Sequence, residues 1–365
     1  MPSSRSRCFH VPSTGIIYSR AFLKHDTGKD HPERGARLIA IVKALKESSL
    51  IERAELKLVK PIRLDPEKLL YVHSPALIEK VEKASVKGGY LDSDTVTSPD
   101  SFNVALLAVG GVFRAGDLVM DGKLTNAFCL IRPPGHHATR DEAMGFCLFN
   151  NAALLAAHLL KDKGLRRVLI VDWDVHHGNG TQDLFYQSRE VLYFSVHQDG
   201  RTIYPGTGSF DEVGEGEGEG FNINLPLPPG VGDDVYLYAL SEILPPIVEA
   251  YAPEFIVASV GFDAHRQDQL GALKLSAQGY YEIAKLVVEL AHRHCSGRLV
   301  AVLEGGYNLK YIPKCAANTI AAFAGHPPPF REAATHTQPS VKSYVDGLLR
   351  RIKTVLSPYW PLKND

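Results

Sequence analysis

Short apolar runs separated by longer amphipathic stretches set the rhythm of this chain. Five of them, Ala127–Ile131, Val168–Val171, Val191–Val196, Phe255–Val260 and Leu299–Leu303, are rich in β-branched and aliphatic side chains. Runs of that length and composition read as buried strands. Between them lie stretches of helix formers, Asn151 to Lys161 (NAALLAAHLLK) and Ala277 to His292 (AQGYYEIAKLVVELAH). Strands alternating with helices predict βαβ units, hence an α/β fold with a central parallel sheet flanked by helices. Near the C-terminus, Pro327–Pro329 ends one element, and Ser340–Leu356 then places apolar residues at helical spacing beside Arg350, Arg351 and Lys353. That pattern predicts a terminal helix docked on the main body. No repeat with a period of about 20 to 50 residues interrupts the alternation. A single domain over residues 1–365 is therefore expected. The acidic, glycine-rich stretch Glu212–Gly220 (EVGEGEGEG) reads as a flexible surface loop without a role.

With 45% hydrophobic and 22% charged residues, the chain has the composition of a globular protein with a large core. Its formal net charge of −1 leaves no global basic footprint for phosphate neutralisation, so nucleic acid is not expected as a direct partner. The N-terminus, MPSSRSRCFHVPSTG, has basic residues but no apolar segment after them, and no run elsewhere approaches the length of a membrane span. No membrane association and a cytoplasmic location are expected. Five cysteines (Cys8, Cys129, Cys147, Cys295, Cys315) are an odd count without a CxxC pair, which argues against a disulfide framework and a thiolate zinc site. Any metal must then be held by His and carboxylate.

Ligands of open parallel sheets bind at the carboxyl ends of the strands. Four of the predicted strands run into PPGHH (Pro133–His137), DWDVHHGNG (Asp172–Gly180), GFDAH (Gly261–His265) and EGGYN (Glu304–Asn308). In extended backbone, residues two apart point the same way, so Asp174 and His176 can face one metal ion. Asp263 can complete a set of three protein ligands that leaves positions for water and substrate, the pattern of catalytic zinc. A single Asp after a strand is commonly a turn carboxylate. Several of them at strand ends beside histidines point to a metal instead. The adjacent His136 and His137 on a stiff Pro-Pro-Gly turn suit acid–base work, although such a pair in isolation is more often a surface feature. Tyr307, after two glycines, could donate its phenol to an oxyanion or simply pack in a turn.

Together and in this order, PPGHH, GFCLFNNAA, DWDVHHGNGTQ, YPGTG, GFDAH and EGGYN resemble the histone deacetylase family, which includes acetylpolyamine amidohydrolases and acetoin-utilisation proteins. The resemblance runs from TGIIYS and HDTGKDHPER to EGGYN. It implies an arginase/deacetylase-like α/β fold and hydrolysis of acetyl-amine amides. By the same resemblance Asp174, His176 and Asp263 would bind zinc, His136 and His137 would be the active-site histidines, and Tyr307 would be the phenol opposite them. Gly145 would offer its carbonyl to the substrate amide, and Phe146 and Tyr204 would wall a narrow channel. One potassium or sodium site would map to Asp172, Asp174, His176, Ser195 and Val196, and a second to Phe185, Ser188, Val191 and Phe221. Asn179 stands where class I relatives have aspartate, and Tyr204 where many have phenylalanine, so the chain looks closer to class II and prokaryotic deacetylases.

A mechanism follows from these assignments as an expectation. His136 pairs with Asp172, which favours the imidazolium, while His137 pairs with the neutral Asn179 and serves as general base. The ureohydrolases, with two manganese ions, need further carboxylates that are lacking at Gly178 and His265. A catalytically inert module that binds acetylated ligands would be expected to lose Tyr307 or a metal ligand, and both are retained. The expected partner is acetylated lysine in peptides or proteins rather than small acetylated amines, because Leu270 stands where a polyamine-selective branch of the family carries glutamate. Asp94, Asp100, Asp268 or the Glu212–Glu219 stretch could still supply an acidic rim.

Overall fold

Strands and helices alternate along most of the computed structural model, which describes residues 13–363. Cys8 and the basic N-terminal stretch up to Pro12 lie outside the described residues. The elements are β1 (Thr14–Ile17), α1 (Ala36–Glu47), β2 (Leu56–Val59), α2 (Pro75–Lys87), β3 (Gly89–Tyr90), β4 (Val96–Thr97), α3 (Ser101–Met120) and β5 (Asn126–Cys129). There follow α4 (Asn151–Lys161), β6 (Val168–Asp172), α5 (Asn179–Phe185), β7 (Val191–Gln198), β8 (Asn222–Leu227) and α6 (Asp233–Tyr251). The last are β9 (Phe255–Val260), α7 (Ala277–His294), β10 (Leu299–Leu303), α8 (Ile312–Phe323) and α9 (Pro339–Leu356). Eight strands form one sheet in the order β2-β1-β5-β10-β9-β6-β7-β8, with every pairing parallel. β3 and β4 make a separate antiparallel pair.

The expected parallel sheet is present, with shifted ends. β5 stops at Cys129, so Leu130 and Ile131 leave the ladder although they stay buried, and β6 and β7 run on to Asp172 and Gln198. Continuous apolar strands fit a sheet covered on both faces. Val168, Leu169, Ile170 and Val171 are all at most 1% exposed, and each such side chain stabilises the fold by roughly 1.5–3 kcal/mol. Helix starts follow local capping chemistry: Asn150 accepts from Ala153 N at 3.0 Å before α4, and Ser276 from Gly279 N at 3.1 Å before α7. The C-terminal helix α9 buries Val345, Leu348, Leu349, Ile352 and Leu356, and Lys353 reaches Glu242 of α6 at 2.6 Å.

One expectation needs correction. α3 has 20 residues and a mean hydropathy of 1.5 in its most apolar window, enough by length and composition to cross a membrane. In this structure it is a core helix, 72% of that window being buried inside the protein. Its glycines suit close packing, since a Cβ on Gly110 would collide with the Ile62 carbonyl and one on Gly116 with Leu155. Its Asp117 pairs with His158 at 2.9 Å and with Lys163 at 2.6 Å.

A buried charge cluster ties the loop before α1 to the segment that follows β5. Glu33 accepts from Arg132 Nε at 2.6 Å and Nη2 at 2.7 Å, and from Arg37 Nη1 at 3.0 Å. Burial pushes the Glu33 carboxyl upward, but the Arg132 and Arg37 guanidiniums outweigh it and hold the group at about 2, against an ordinary 4.5. A depressed carboxylate stabilises the fold fully above the unfolded value, and the contribution fades as pH falls from about 4.5 to about 2. Over that gap the linkage is worth about 3 kcal/mol. Glu33→Gln should therefore destabilise the protein at neutral pH and flatten its stability profile in that acid window. Urea unfolding at a series of pH values measures both, and a variant with the parent's acid slope would count against the triad.

Candidate active site

The four strands that deliver PPGHH, DVHHGNG, GFDAH and EGGYN are β5, β6, β9 and β10, which are contiguous in the sheet as β5-β10-β9-β6. Because they are parallel, all four motifs emerge at one edge.

At the centre, ligand atoms of Asp174, His176 and Asp263 lie within 4.8 Å of one another. His176 Nδ1 is 3.1 Å from Asp174 Oδ1 and 3.2 Å from Asp263 Oδ2. The other oxygens are held by backbone: Gly305 N–H donates to Asp174 Oδ2 at 2.8 Å and Val175 N–H to Asp263 Oδ1 at 3.0 Å. Asp263 Oδ2 is buried and, although His176 Nδ1 lies close to it, receives no hydrogen bond of good geometry. Burial and the neighbouring Asp174 push the Asp263 carboxyl up, while the two carboxylates overcome burial and push His176 up to about 10. Such a set calls for a cation. Gly261 and Gly305 keep the space clear, since a Cβ on either would collide with the carboxylates. That poorly satisfied oxygen, the two carboxylates and the imidazole fit a divalent metal with open positions.

His136 and His137 stack obliquely, ring centroids 4.0 Å apart. His136 Nδ1 meets Asp172 Oδ2 at 3.1 Å, and Tyr193 Oη donates to the same oxygen at 3.1 Å. His137 Nδ1 donates to Asn179 Oδ1 at 2.7 Å, with the amide oriented by its Nδ2 contact to Met144 Sδ at 3.5 Å. An amide oxygen only accepts, so the His137 proton sits on Nδ1 and Nε2 is left as the basic nitrogen. Burial opposes charge on both rings, but Asp174 and Asp172 overcome it and raise His136 to about 10. Burial, His136 and His176 together drive His137 well below the usual histidine range. The expected hydrogen-bond partners are in place, a carboxylate for His136 and a neutral amide for His137. Glu304 fixes the turn beneath them, accepting from Gly135 N at 2.7 Å and His136 N at 3.2 Å.

Above this floor a cavity of ≈ 240 Å³ is lined by Asp94, His137, Gly145, Phe146, His176, Ile203, Tyr204, Leu270 and Tyr307. Tyr204 stands edge-to-face to His137 at 5.2 Å, and Phe146 to Tyr307 at 5.8 Å, so aromatic rings wall the passage as expected. Phe146 has φ 70°, a left-handed conformation that costs a non-glycine residue of order 1–3 kcal/mol. The β3–β4 hairpin offsets that strain. Thr95 Oγ1 accepts from Phe146 N at 3.0 Å, and Asp92 Oδ2 from Gly145 N at 3.2 Å.

Several supporting residues escaped sequence reasoning, among them Asp92, Thr95, Ile203, Glu33 and Arg37. The Glu212–Gly220 stretch also needs correction, because Glu212 is a tether rather than part of a loop without a role. Its carboxylate accepts from Ser209 N at 3.1 Å, Gly208 N at 3.3 Å and Gln182 Nε2 at 2.6 Å, bracing the loop that carries Tyr204. Of the acidic residues considered for the rim, Asp94 lines the cavity and Asp268 does not. Asp172, the last residue of β6, is paired in register with Ser195 in the second half of β7, with Val196 next along the strand, so these three members of the first cation set are neighbours. Phe185, Ser188, Val191 and Phe221 lie around the opposite end of β7, where the Phe221 carbonyl accepts from Tyr193 N at 2.9 Å.

The fold and this site define a parallel-sheet α/β protein with a buried His–carboxylate set of metal-binding type at the strand ends. Residues 31–323 match the histone deacetylase domain. A probable deacetylase of Archaeoglobus fulgidus is 44% identical over 313 residues, covering 86% of this chain and 86% of the relative. The histone deacetylase-like amidohydrolase of Pseudomonas aeruginosa is 40% identical over 316 residues, covering 86% and 81%. Histone deacetylase 15 of Arabidopsis thaliana is 38% identical over 359 residues, and the match spans 96% of this chain but 63% of that longer protein. The crystal structure of the HDA15 HD domain superposes with a TM-score of 0.87 at 35% identity over 96% of both chains. The chain belongs to the histone deacetylase family, a family of deacetylases and amidohydrolases, and has the arginase/deacetylase fold.

Proposed function

We propose that this protein hydrolyses the acetyl amide of acetyl-lysine side chains in peptides or proteins, using one zinc ion. The observation that carries the reading is the buried Asp174–His176–Asp263 set, with an oxygen that receives no hydrogen bond of good geometry, at the base of a narrow aromatic-walled cavity beside His137 and Tyr307. Asp174, His176 and Asp263 would hold the zinc. Bound there, it would supply Lewis-acid polarisation of the acetyl carbonyl and acidify a water. His137 Nε2 takes the proton of the attacking water and returns it to the departing lysine amine. His136, held charged by Asp172, stabilises negative charge beside it. The Tyr307 phenol donates to the oxyanion, the Gly145 carbonyl receives the substrate amide N–H, and Phe146 and Tyr204 pack along the lysine stem. Monovalent cations at the Asp172–Val196 and Phe185–Phe221 sets would brace the strand ends. Release of acetate from an acetyl-lysine peptide by the zinc-loaded protein, lost on chelation and restored by zinc, tests the reading.

Asp94 favours a second reading, because its carboxylate lines the mouth and could pair with the distal ammonium of an acetylated polyamine. Leu270, on the same cavity, offers only apolar contact. Peptides are expected to be cleaved better than acetylated spermidine or putrescine. Leu270→Glu should move the kcat/KM ratio towards the polyamine by roughly ten-fold or more, equivalent to about 1.4 kcal/mol. A parent enzyme that already prefers the polyamine would establish the second reading in place of the first.

A further inference from the structure

We infer that Asp268 is a positioning residue that sets the Tyr307 phenol in register with the channel rim. The inference rests on the reading of Tyr307 as the oxyanion donor.

The segment that carries Tyr307 has no regular structure of its own. It leaves β10 through Gly305 and Gly306, the latter at φ +107°, and such backbone is free to take many conformations unless its polar groups are bound. Here nearly all of them are. Glu304 N–H donates to the Val260 carbonyl at 2.8 Å, and the Gly305 carbonyl accepts from Phe262 N at 3.1 Å. Gly305 N–H goes to Asp174 at 2.8 Å. Arg37 donates from Nε to the Gly306 carbonyl at 2.7 Å and from Nη2 to the Glu304 carbonyl, and its guanidinium lies 5.0 Å from the Tyr307 ring centroid.

The last two N–H groups, those of Tyr307 and Asn308, both converge on Asp268 Oδ2, at 2.6 and 2.9 Å. The other oxygen, Oδ1, accepts from Leu270 N at 3.1 Å. One carboxylate therefore joins the turn bearing the phenol to the loop bearing the rim leucine. Its three hydrogen bonds all come from backbone, and Asp268 is only 8% exposed, so it is not offered to a substrate ammonium. Bonds from N–H groups to an ionised carboxylate are roughly twice as strong as neutral ones. A phenol must sit within a few tenths of an ångström of its oxyanion to be effective, and this carboxylate fixes the backbone from which that phenol projects.

Asp268→Asn keeps the shape but turns one acceptor into an amide donor facing N–H groups. It should lower kcat by about ten-fold or more with KM changed less than about three-fold. In the Tyr307→Phe background the same substitution should cost less than about two-fold, because the group it positions is already gone. Zinc content by elemental analysis should match the parent in every variant. Asp268→Glu, which keeps the charge and both acceptors but displaces them by one methylene, is run through the same cycle in case the asparagine variant does not fold. Equal fold-losses in both backgrounds, loss of zinc, a change confined to KM, or failure of both variants to fold would overturn the positioning role. A Tyr307→Phe enzyme as fast as the parent would instead sink the reading of the site itself, and this inference with it.

Discussion

Tyr307→Phe is expected to lower kcat on an acetyl-lysine peptide by about 10² to 10³, the usual cost of removing one oxyanion donor. The ring would remain edge-to-face with Phe146 and beneath the Arg37 guanidinium, so packing of the cavity wall should survive. Only the hydroxyl is lost. The metal set lies on β6 and β9 loops, whereas Tyr307 follows β10, so metal content should be unaffected. Because a donor that acts on developing charge contributes little to ground-state binding, KM should change far less than kcat. Steady-state kinetics on zinc-loaded protein measure the split. Turnover equal to that of the parent would remove the phenol from the mechanism, and a loss carried wholly by KM would make it a binding group.

The placement of that phenol shows what a linear sequence conveys and what it withholds. The strand periodicity and the motif after each strand were legible, and they lead to the correct architecture because parallel strands bring their following loops to one edge. The Asp174-x-His176 spacing was legible for the same reason, since period-two geometry is local. Other elements were hidden by their own composition. β1 and β2 have four residues each, too few to show a period. β8 contains Pro226, which is tolerated on an edge strand with its missing N–H facing outward, and α6 contains Pro245 and Pro246. In α3 the glycines lower helix propensity but permit close packing.

Supporting residues were illegible for a different reason. Glu33 and Arg132 are 99 positions apart, and Asp268 and Tyr307 are 39, so no local spacing links them. The Asp92 and Thr95 contacts that hold Phe146 in a left-handed conformation depend on where a short hairpin lands, which periodicity does not encode. Glu212 was masked by the low complexity of its neighbours. Roles for Gly145, Phe146, Tyr204 and Leu270 came from family resemblance alone, and the structure gathers all four on one cavity.

Asp263→Ala should abolish stoichiometric metal binding, giving below about a tenth of an equivalent where the parent holds about one. Three protein ligands are the minimum for a catalytic site of this type, so the loss of one leaves Asp174 and His176 as a weak bidentate pair. The surroundings reinforce that outcome. In the parent, burial and the neighbouring Asp174 carboxylate push the Asp263 carboxyl up, a cost that a divalent ion relieves. Removing one carboxylate removes most of that driving force. Apart from the lost side chain, the variant should fold: Val175 N–H loses its partner at Asp263 Oδ1, but β6 and β9 keep their ladder. Elemental analysis of purified protein, with circular dichroism to confirm folding, measures the result without reference to activity. A folded variant retaining one equivalent of zinc would place the ion elsewhere and overturn the ligand assignment, while a parent holding two ions per chain would move the site towards the two-metal chemistry of the ureohydrolases.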